Sequence, residues 1–315
     1  MALSTAQSKS ALIITNPQSG NGRGPDLASD AVDHLRAEGW EAEGVVTTCR
    51  GDATEIARER AEHFEIVFAC GGDGTLNEVV SGIVDRDAIV GVIPAGTAND
   101  LARAAGVSLN PAEAIATLDR GHPREIDLLE IDGGEAWSAV AVGAGIDART
   151  VQRAEGLGRP LIGRASYLAA VTAELGEQID TQLSIEIDGE TWEGGALLVQ
   201  VANCPNHGGR FEIAPGARID DGRLDVVLIK QTTRARALEM IPLAMAGKHV
   251  DQPEVERWSA REVTIEQPEA GPMLIDGEVI EQRALHIRIA PGRLRMWLPD
   301  GGEATGSLLP RSRPS

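Results

Sequence analysis

Glu65-Ile66-Val67-Phe68-Ala69-Cys70-Gly71-Gly72-Asp73-Gly74-Thr75-Leu76-Asn77-Glu78 is the stretch that decides the fold. It reads as a strand to Cys70, a glycine turn, and a helix from Thr75 to Val84. A short, nearly unbroken apolar run followed at once by a helix marks a parallel sheet covered on both faces. The same unit recurs around it. Ala11 to Thr15 precedes a helical Pro25 to Glu38, Gly44 to Thr47 precedes Asp52 to His63, and Ile89 to Ile93 precedes Ala98 to Ala105. This alternation predicts an α/β fold class, with an N-terminal doubly wound α/β nucleotide-binding domain over residues 1–132. In such sheets ligands bind at the carboxyl ends of strands, so the loops after Thr15, Thr47, Cys70 and Ile93 share one rim.

Past Asp132 strands follow one another across Gly-rich turns: Ala136 to Val142, Leu183 to Ile187, Ala196 to Val201, Leu224 to Ile229, Val263 to Glu266, Leu285 to Ile289 and Leu294 to Leu298. Helical stretches at Ala165 to Gly176 and Arg234 to Ala246 interrupt them. Dyad-patterned strands in series predict a C-terminal antiparallel β-sandwich domain over 133–302, followed by a tail, 303–315. The cleft between the domains is the expected site.

Composition limits the partners. The 315 residues carry 29 Lys+Arg against 48 Asp+Glu, a net charge of −19. Nucleic acid and anionic lipid surfaces would be approached against repulsion, so nucleic-acid binding is excluded as the main role. No apolar run approaches the ~18 residues of a membrane span. Lysine occurs only at Lys9, Lys230 and Lys248, which fits either a high-salt proteome or a GC-rich genome. Cys49, Cys70 and Cys204 form no metal or disulfide framework and read as small buried residues in a reducing cytoplasm. The six histidines show no metal-ligand spacing; His207, beside Gly208-Gly209, reads as a loop histidine or part of an acceptor pocket.

The glycine turn carries the chemistry. Gly71, Gly72 and Gly74 let a backbone approach phosphate closely, and the N–H groups at the start of a helix attract negative charge. Asp73 among them is suited to holding a metal ion or taking a proton; equally, it could cap the helix in a tight strand-to-helix turn. A second loop, Pro94-Ala95-Gly96-Thr97-Ala98-Asn99-Asp100, sits the same way after the next strand. Asn16 to Gly24 is polar and Gly-rich but has neither the Walker A lysine nor dinucleotide-fingerprint spacing. Asp276-Gly277-Glu278 and Asp220-Asp221-Gly222 also fit hairpin turns.

Together, Asn16-Pro17, Gly71-Gly72-Asp73-Gly74-Thr75 with Asn77-Glu78, and Pro94-x-Gly96-Thr97-x-Asn99-Asp100 resemble the diacylglycerol kinase catalytic domain of soluble bacterial lipid kinases, related to sphingosine and ceramide kinases. The resemblance continues through Asn203, Gly208-Gly209, Ala214 to Ala217, Asp220 to Asp225 and Ile275 to Glu278. It implies an ATP-dependent phosphotransferase acting on the hydroxyl of a diacylglycerol-like lipid alcohol, in phospholipid metabolism. It further implies ATP over Gly71, Gly72, Asp73, Gly74 and Thr75, with Asn16, Thr47, Asn77, Glu78 and Thr97 nearby. Glu278 and Asp73 match the catalytic carboxylates, Glu278 as proton acceptor. Arg218, Asp221 and Arg223 match a Mg²⁺ site, the arginines through main-chain oxygen, since guanidinium has no acceptor. A kinase of a soluble acceptor, NAD kinase-like, and a non-catalytic nucleotide-binding regulator are the competing readings. A lipid kinase is expected to work in the cytoplasm and touch the membrane surface transiently, with homodimerisation through a sheet edge open to it. Docking would use an apolar patch, a basic patch such as Arg153, Arg159 and Arg164, or screening by salt.

Overall fold

The computed structural model describes residues 9–156, 164–175, 181–209 and 211–299. The chain forms two compact units: one runs to Ile126 and takes the chain back from Arg293, the other holds Asp127–Gly292.

In the first unit β1 (Ser10–Thr15), β2 (Glu41–Val46), β3 (Ile66–Gly71) and β4 (Ile89–Pro94) are parallel, in the order β2-β1-β3-β4. Ala11, Leu12, Ile13 and Ile14 are all 0% exposed, so neighbours pointing to opposite faces are both covered. That is why these strands are apolar runs and do not alternate. The connections are a single turn α1 (Ser19–Gly22), then α2 (Gly24–Ala37), α3 (Asp52–Arg60), α4 (Asp73–Ile83), α5 (Asp100–Ala104) and α6 (Pro111–Ile115). Helix α2 buries Leu27, Ala31 and Leu35 in a core with Ile13, Phe68 and Trp297. A Cβ on Gly91 would lie 2.2 Å from the Phe68 ring, so the glycine makes room for that side chain.

The rest of the chain adds β5 (Gly121–Ile131), β6 (Ala136–Ser138), β7 (Ala141–Gly145), α7 (Ile146–Gly156), α8 (Arg164–Glu174), β8 (Thr181–Ile187), β9 (Glu190–Ala202), β10 (Leu224–Lys230), α9 (Arg234–Met245), β11 (Val255–Ala260), β12 (Glu262–Ile275) and β13 (Glu278–Pro299). Within the second unit β9 pairs antiparallel with β7, β8 and β10, β10 with β11, and β12 with β7, β8 and β13. Leu183, Ile185 and Ile187 turn inward on β8 while Gln182 and Glu186 face out. Their core includes Val142, Val199, Val226, Val263 and Ile287.

Several expectations differ from this structure. The division falls after Ile126, and Leu294 to Leu298, assigned above to the second domain, belongs to the first unit. There Arg295 and Met296 pair in parallel with Ile89 and Val90, and Trp297 Nε1 donates to Leu118 O at 2.9 Å. Leu285 to Leu298 is one strand, β13, where two were expected. Ala136 to Val142 is broken in two, because the N–H groups of Ala139, Val140 and Ala141 turn to the Asp276 carboxylate. Helix α7 had no counterpart in the sequence analysis. Cys49 is exposed beyond β2, unlike buried Cys70 and Cys204; burial pushes the Cys70 thiol up to about 11, which leaves it protonated. Among the described residues no helix is long and apolar enough to cross a membrane. The tail 303–315 lies outside the described residues.

Candidate active site

The strand ends of the first unit carry three loops tied together by one threonine hydroxyl and by backbone bonds. Thr15 Oγ1 donates to Cys70 O at 3.0 Å, Ala95 N to Gly71 O at 2.8 Å, and Gly20 N to Ala95 O at 2.7 Å. A Cβ on Gly96 would come within 2.3 Å of Gly72 Cα, and one on Gly71 within 2.5 Å of Thr75 Oγ1. Glycine is therefore dictated at Gly96 by contact between the loops and at Gly71 by contact with Thr75 in its own loop, not by positive φ. Gly74 is different: it is exposed in the first turn of α4, with nothing within 4 Å of where a Cβ would stand. Open space over free helix-start N–H groups is what an anionic group needs.

Helix α4 also clamps its neighbours with two carboxylates. Asp73 Oδ1 accepts from Asp100 N at 2.7 Å and Leu101 N at 3.4 Å, capping α5. Glu78 accepts from Gly51 N at 3.0 Å and Ala53 N at 3.2 Å, capping α3. The cap of α4 itself is Gly72, with no side-chain bond, so Asp73 caps the next helix and not its own. Asn99 stands at φ 54 and closes its loop by bonding Gly96 N and O at 3.0 and 2.8 Å. Thr97 is exposed on that loop, Thr47 is 6% exposed, and Asn16 Oδ1 accepts from Gln18 N at 2.8 Å. Asn77 Oδ1 is buried without a hydrogen-bond partner.

In the second unit Asp276 and Gly277, at φ 48 and 84, form a two-residue turn that pairs Ile275 with Glu278. The Asp276 carboxylate accepts from Ser138 Oγ at 2.6 Å and from the N–H groups of Ala139, Val140 and Ala141 at 2.9–3.0 Å. Burial pushes this carboxyl up, and the four donors pull it back. Glu278 thus opens β13 from an anchored hairpin. In the sequence Asp276 has no role of its own, only its place in the Asp-Gly turn and in the Ile275 to Glu278 match.

The predicted metal residues cluster around a buried carboxylate, Asp127, which accepts from Gly222 N at 2.6 Å and Gly292 N at 2.8 Å. Burial pushes Asp127 up, and Asp221 and Asp220 add repulsion. The Arg218 guanidinium turns to Asp220 and that of Arg223 to Ser259, so any ligation by either comes from its main chain. Asp221 Oδ1 accepts from Arg223 N at 3.1 Å. Among the described residues no three His, Cys, Asp or Glu gather as a metal group. One carboxylate with two carbonyls is nonetheless an all-oxygen set beside excess negative charge, which fits a hard cation such as Mg²⁺.

Helices α7, α8 and α9 and strands β9 and β10 enclose a pocket of about 80 Å³ lined chiefly by Ile146, Val171, Leu198, Ile229 and Met240. His207 lines it too, which makes it a pocket residue. So do Asp147 and Gln200, which the sequence did not single out. Arg153 is held by Glu174 at 2.8 Å and is not a free cation; Arg159 and the Arg164 side chain lie outside the described residues.

Residues 10–131 match the family described as diacylglycerol kinase catalytic domain, and residues 140–298 match the YegS C-terminal NAD kinase beta sandwich-like domain. A protein of Stenotrophomonas maltophilia named "probable lipid kinase YegS-like" is 32% identical over 92% of this chain and 96% of its own length. The diacylglycerol kinase of Bacillus subtilis is 31% identical over 86% of this chain and 90% of its own. A diacylglycerol kinase structure from Bacillus anthracis aligns with a TM-score of 0.71 at 23% identity, covering 94% of this chain and 98% of that one, a likeness of fold.

Proposed function

Since the chain belongs to the lipid kinase family that joins a diacylglycerol kinase catalytic domain to a YegS-type C-terminal domain, we propose that it transfers the γ-phosphate of ATP to the hydroxyl of a diacylglycerol-like lipid alcohol. The observation that carries the acceptor's class is the apolar pocket of the second unit, which suits an acyl or alkyl chain and not a soluble dinucleotide. In the finer architecture, the first unit is a doubly wound sheet and the second an antiparallel sandwich. Burial on both strand faces supports the one, and the run of antiparallel pairs the other.

Phosphoryl transfer asks mainly for positioning and for neutralisation of charge. Gly71 to Thr75 and Thr97 hold the phosphates of ATP, and Asp73 keeps the second loop in register with the first while remaining the loop carboxylate of the transfer. Asn16, Thr47 and Asn77 supply polar contacts to the nucleotide. Glu78 secures the α3 junction from the same helix. Glu278 takes the proton of the attacking hydroxyl. Asp221 with the Arg218 and Arg223 carbonyls would hold Mg²⁺, which would offset the negative charge around Asp127. The lipid acceptor requires transient contact with a membrane surface from the cytoplasm.

Purified protein given γ-labelled ATP, Mg²⁺ and mixed membrane lipids is expected to yield a labelled product that extracts into organic solvent. Label appearing only in a water-soluble compound would overturn the lipid assignment.

A further inference from the structure

One amide side chain holds the far side of the segment that anchors the Glu278 hairpin. Asn203, 0% exposed just past β9, donates from Nδ2 to Ala139 O at 3.1 Å and to Asp127 O at 2.9 Å. Its own N–H donates to Val140 O at 2.9 Å, and that of Cys204 to the same oxygen at 3.2 Å. Asn203 Oδ1 is buried with no hydrogen-bond partner, so the side chain serves here through its two donors. Two carbonyls meeting at one nitrogen need two hydrogens on that atom, which a hydroxyl does not carry; a primary amide supplies them without burying a charge. Cys204 Sγ, 3.5 Å from Ala139 O, is a weak donor and does not replace the amide.

Asp276 holds the opposite ends of the same peptide groups. A trans peptide group is planar, so its C=O and N–H point to opposite sides. Ala139 O shares a plane with Val140 N–H, and Val140 O shares one with Ala141 N–H; both N–H groups donate to Asp276 Oδ1 at 3.0 Å. Val140 O keeps its backbone donors whatever side chain stands at 203, so the amide governs the Ala139–Val140 plane. Released from Asn203, that plane can turn about its flanking bonds and carry its N–H away from the carboxylate. Asp276-Gly277 leads straight into Glu278, and all of these residues lie in the second unit. We propose that Asn203 is a positioning residue for phosphoryl transfer: its side-chain amide sets the 139–141 segment, through which the Asp276 turn places Glu278. This rests on Glu278 being the proton acceptor.

The test is a double-mutant cycle. Asn203→Ala, which removes both donors, and Asn203→Ser, which keeps one, are each made alone and with Glu278→Gln, and kcat and KM for ATP are measured with γ-labelled ATP and mixed membrane lipids in detergent micelles. Asn203→Ala is expected to lower kcat about tenfold while KM for ATP stays within about twofold, since a displaced general base slows transfer without touching nucleotide binding. Asn203→Ser should fall between alanine and the wild type. In the Glu278→Gln background Asn203→Ala should change kcat by less than about twofold, because residues that act as a unit do not add. Loss by the same factor in both backgrounds overturns the proposal, as does an unchanged kcat in the folded variants. Failure of both variants to fold also overturns it, giving Asn203 to the fold and not to transfer. Full turnover by Glu278→Gln sinks the Glu278 reading and the proposal together, whereas additive losses leave Glu278 in its role.

Discussion

Asp73 and Glu78 show how one short segment serves two ends. Both lie on α4, and each spends its carboxylate on the first N–H groups of a neighbouring helix, α5 or α3. Replacing Asp73 with alanine should remove the α5 cap and cost about 1–2 kcal/mol, seen as a lower urea midpoint. Asp73→Asn keeps an acceptor oxygen and should cost less; a loss as large as alanine's would mean that charge and not the bond matters there. Glu278→Gln is expected to cut kcat by about 10²–10⁴ with ATP binding retained. Loss of ATP binding instead would deny Glu278 the role of proton acceptor. Asp73 and Glu278 stand out in the sequence because each sits beside glycine next to a strand end. Which N–H groups Asp73 bonds was not legible there, since Asp100 is 27 residues away and only the fold brings its N–H within 2.7 Å.

At the scale of elements, the β12–β13 hairpin bears out the turn reading of Asp276-Gly277-Glu278 and leaves room for the proposed role of Glu278. Asp276-Gly277 is a tight turn, and Glu278 follows it as the first residue of a strand, so the turn fixes where its backbone stands. Asp276→Ala would orphan three backbone N–H groups, costing about 3 kcal/mol in stability. It should also lower kcat by displacing Glu278; unchanged kcat in the folded variant would show that the hairpin's position does not govern turnover. The segment from Ile213 to His249 offers a pH test. His249 is 0% exposed, its Nε2 lies 3.0 Å from Ile213 O, and burial holds its pKa down to about 4, with the Arg257 charge adding to the effect. The unfolded chain binds that proton near pH 6.5 and the folded protein only near 4, so stability is lost as pH falls between them. Urea midpoints at pH 7 and 4.5 should therefore diverge more in the wild type than in His249→Gln, by about 2–3 kcal/mol; equal divergence would clear His249 of the effect. Helix α7 escaped the sequence analysis because the end of β7 that leads into it, Gly143 to Gly145, has the small residues of a turn. The need for Gly143 appears only in the fold, where a Cβ would stand 2.8 Å from Val199 O on the neighbouring strand.

For the whole molecule, the charge of −19 still bears on how a lipid is reached. With Arg153 engaged by Glu174, the basic-patch route loses one of its three arginines. Binding to anionic vesicles is expected to stay constant or rise between about 50 mM and 1 M salt, because screening weakens repulsion. A steep fall would point to a basic patch in sedimentation assays. The sequence by itself determined the parallel, apolar strands, the glycine loops at their ends and the order of motifs that identifies the family, since these follow from local periodicity and from residue types at fixed places along the chain. Only the tertiary structure decided that Met296 pairs with Val90, that Asp73 caps α5, and that Asp147, Gln200 and His207 line one pocket. Each of these joins residues far apart in the chain. Pairing and burial at that range are set by how strands pair and pack, and no local pattern records them.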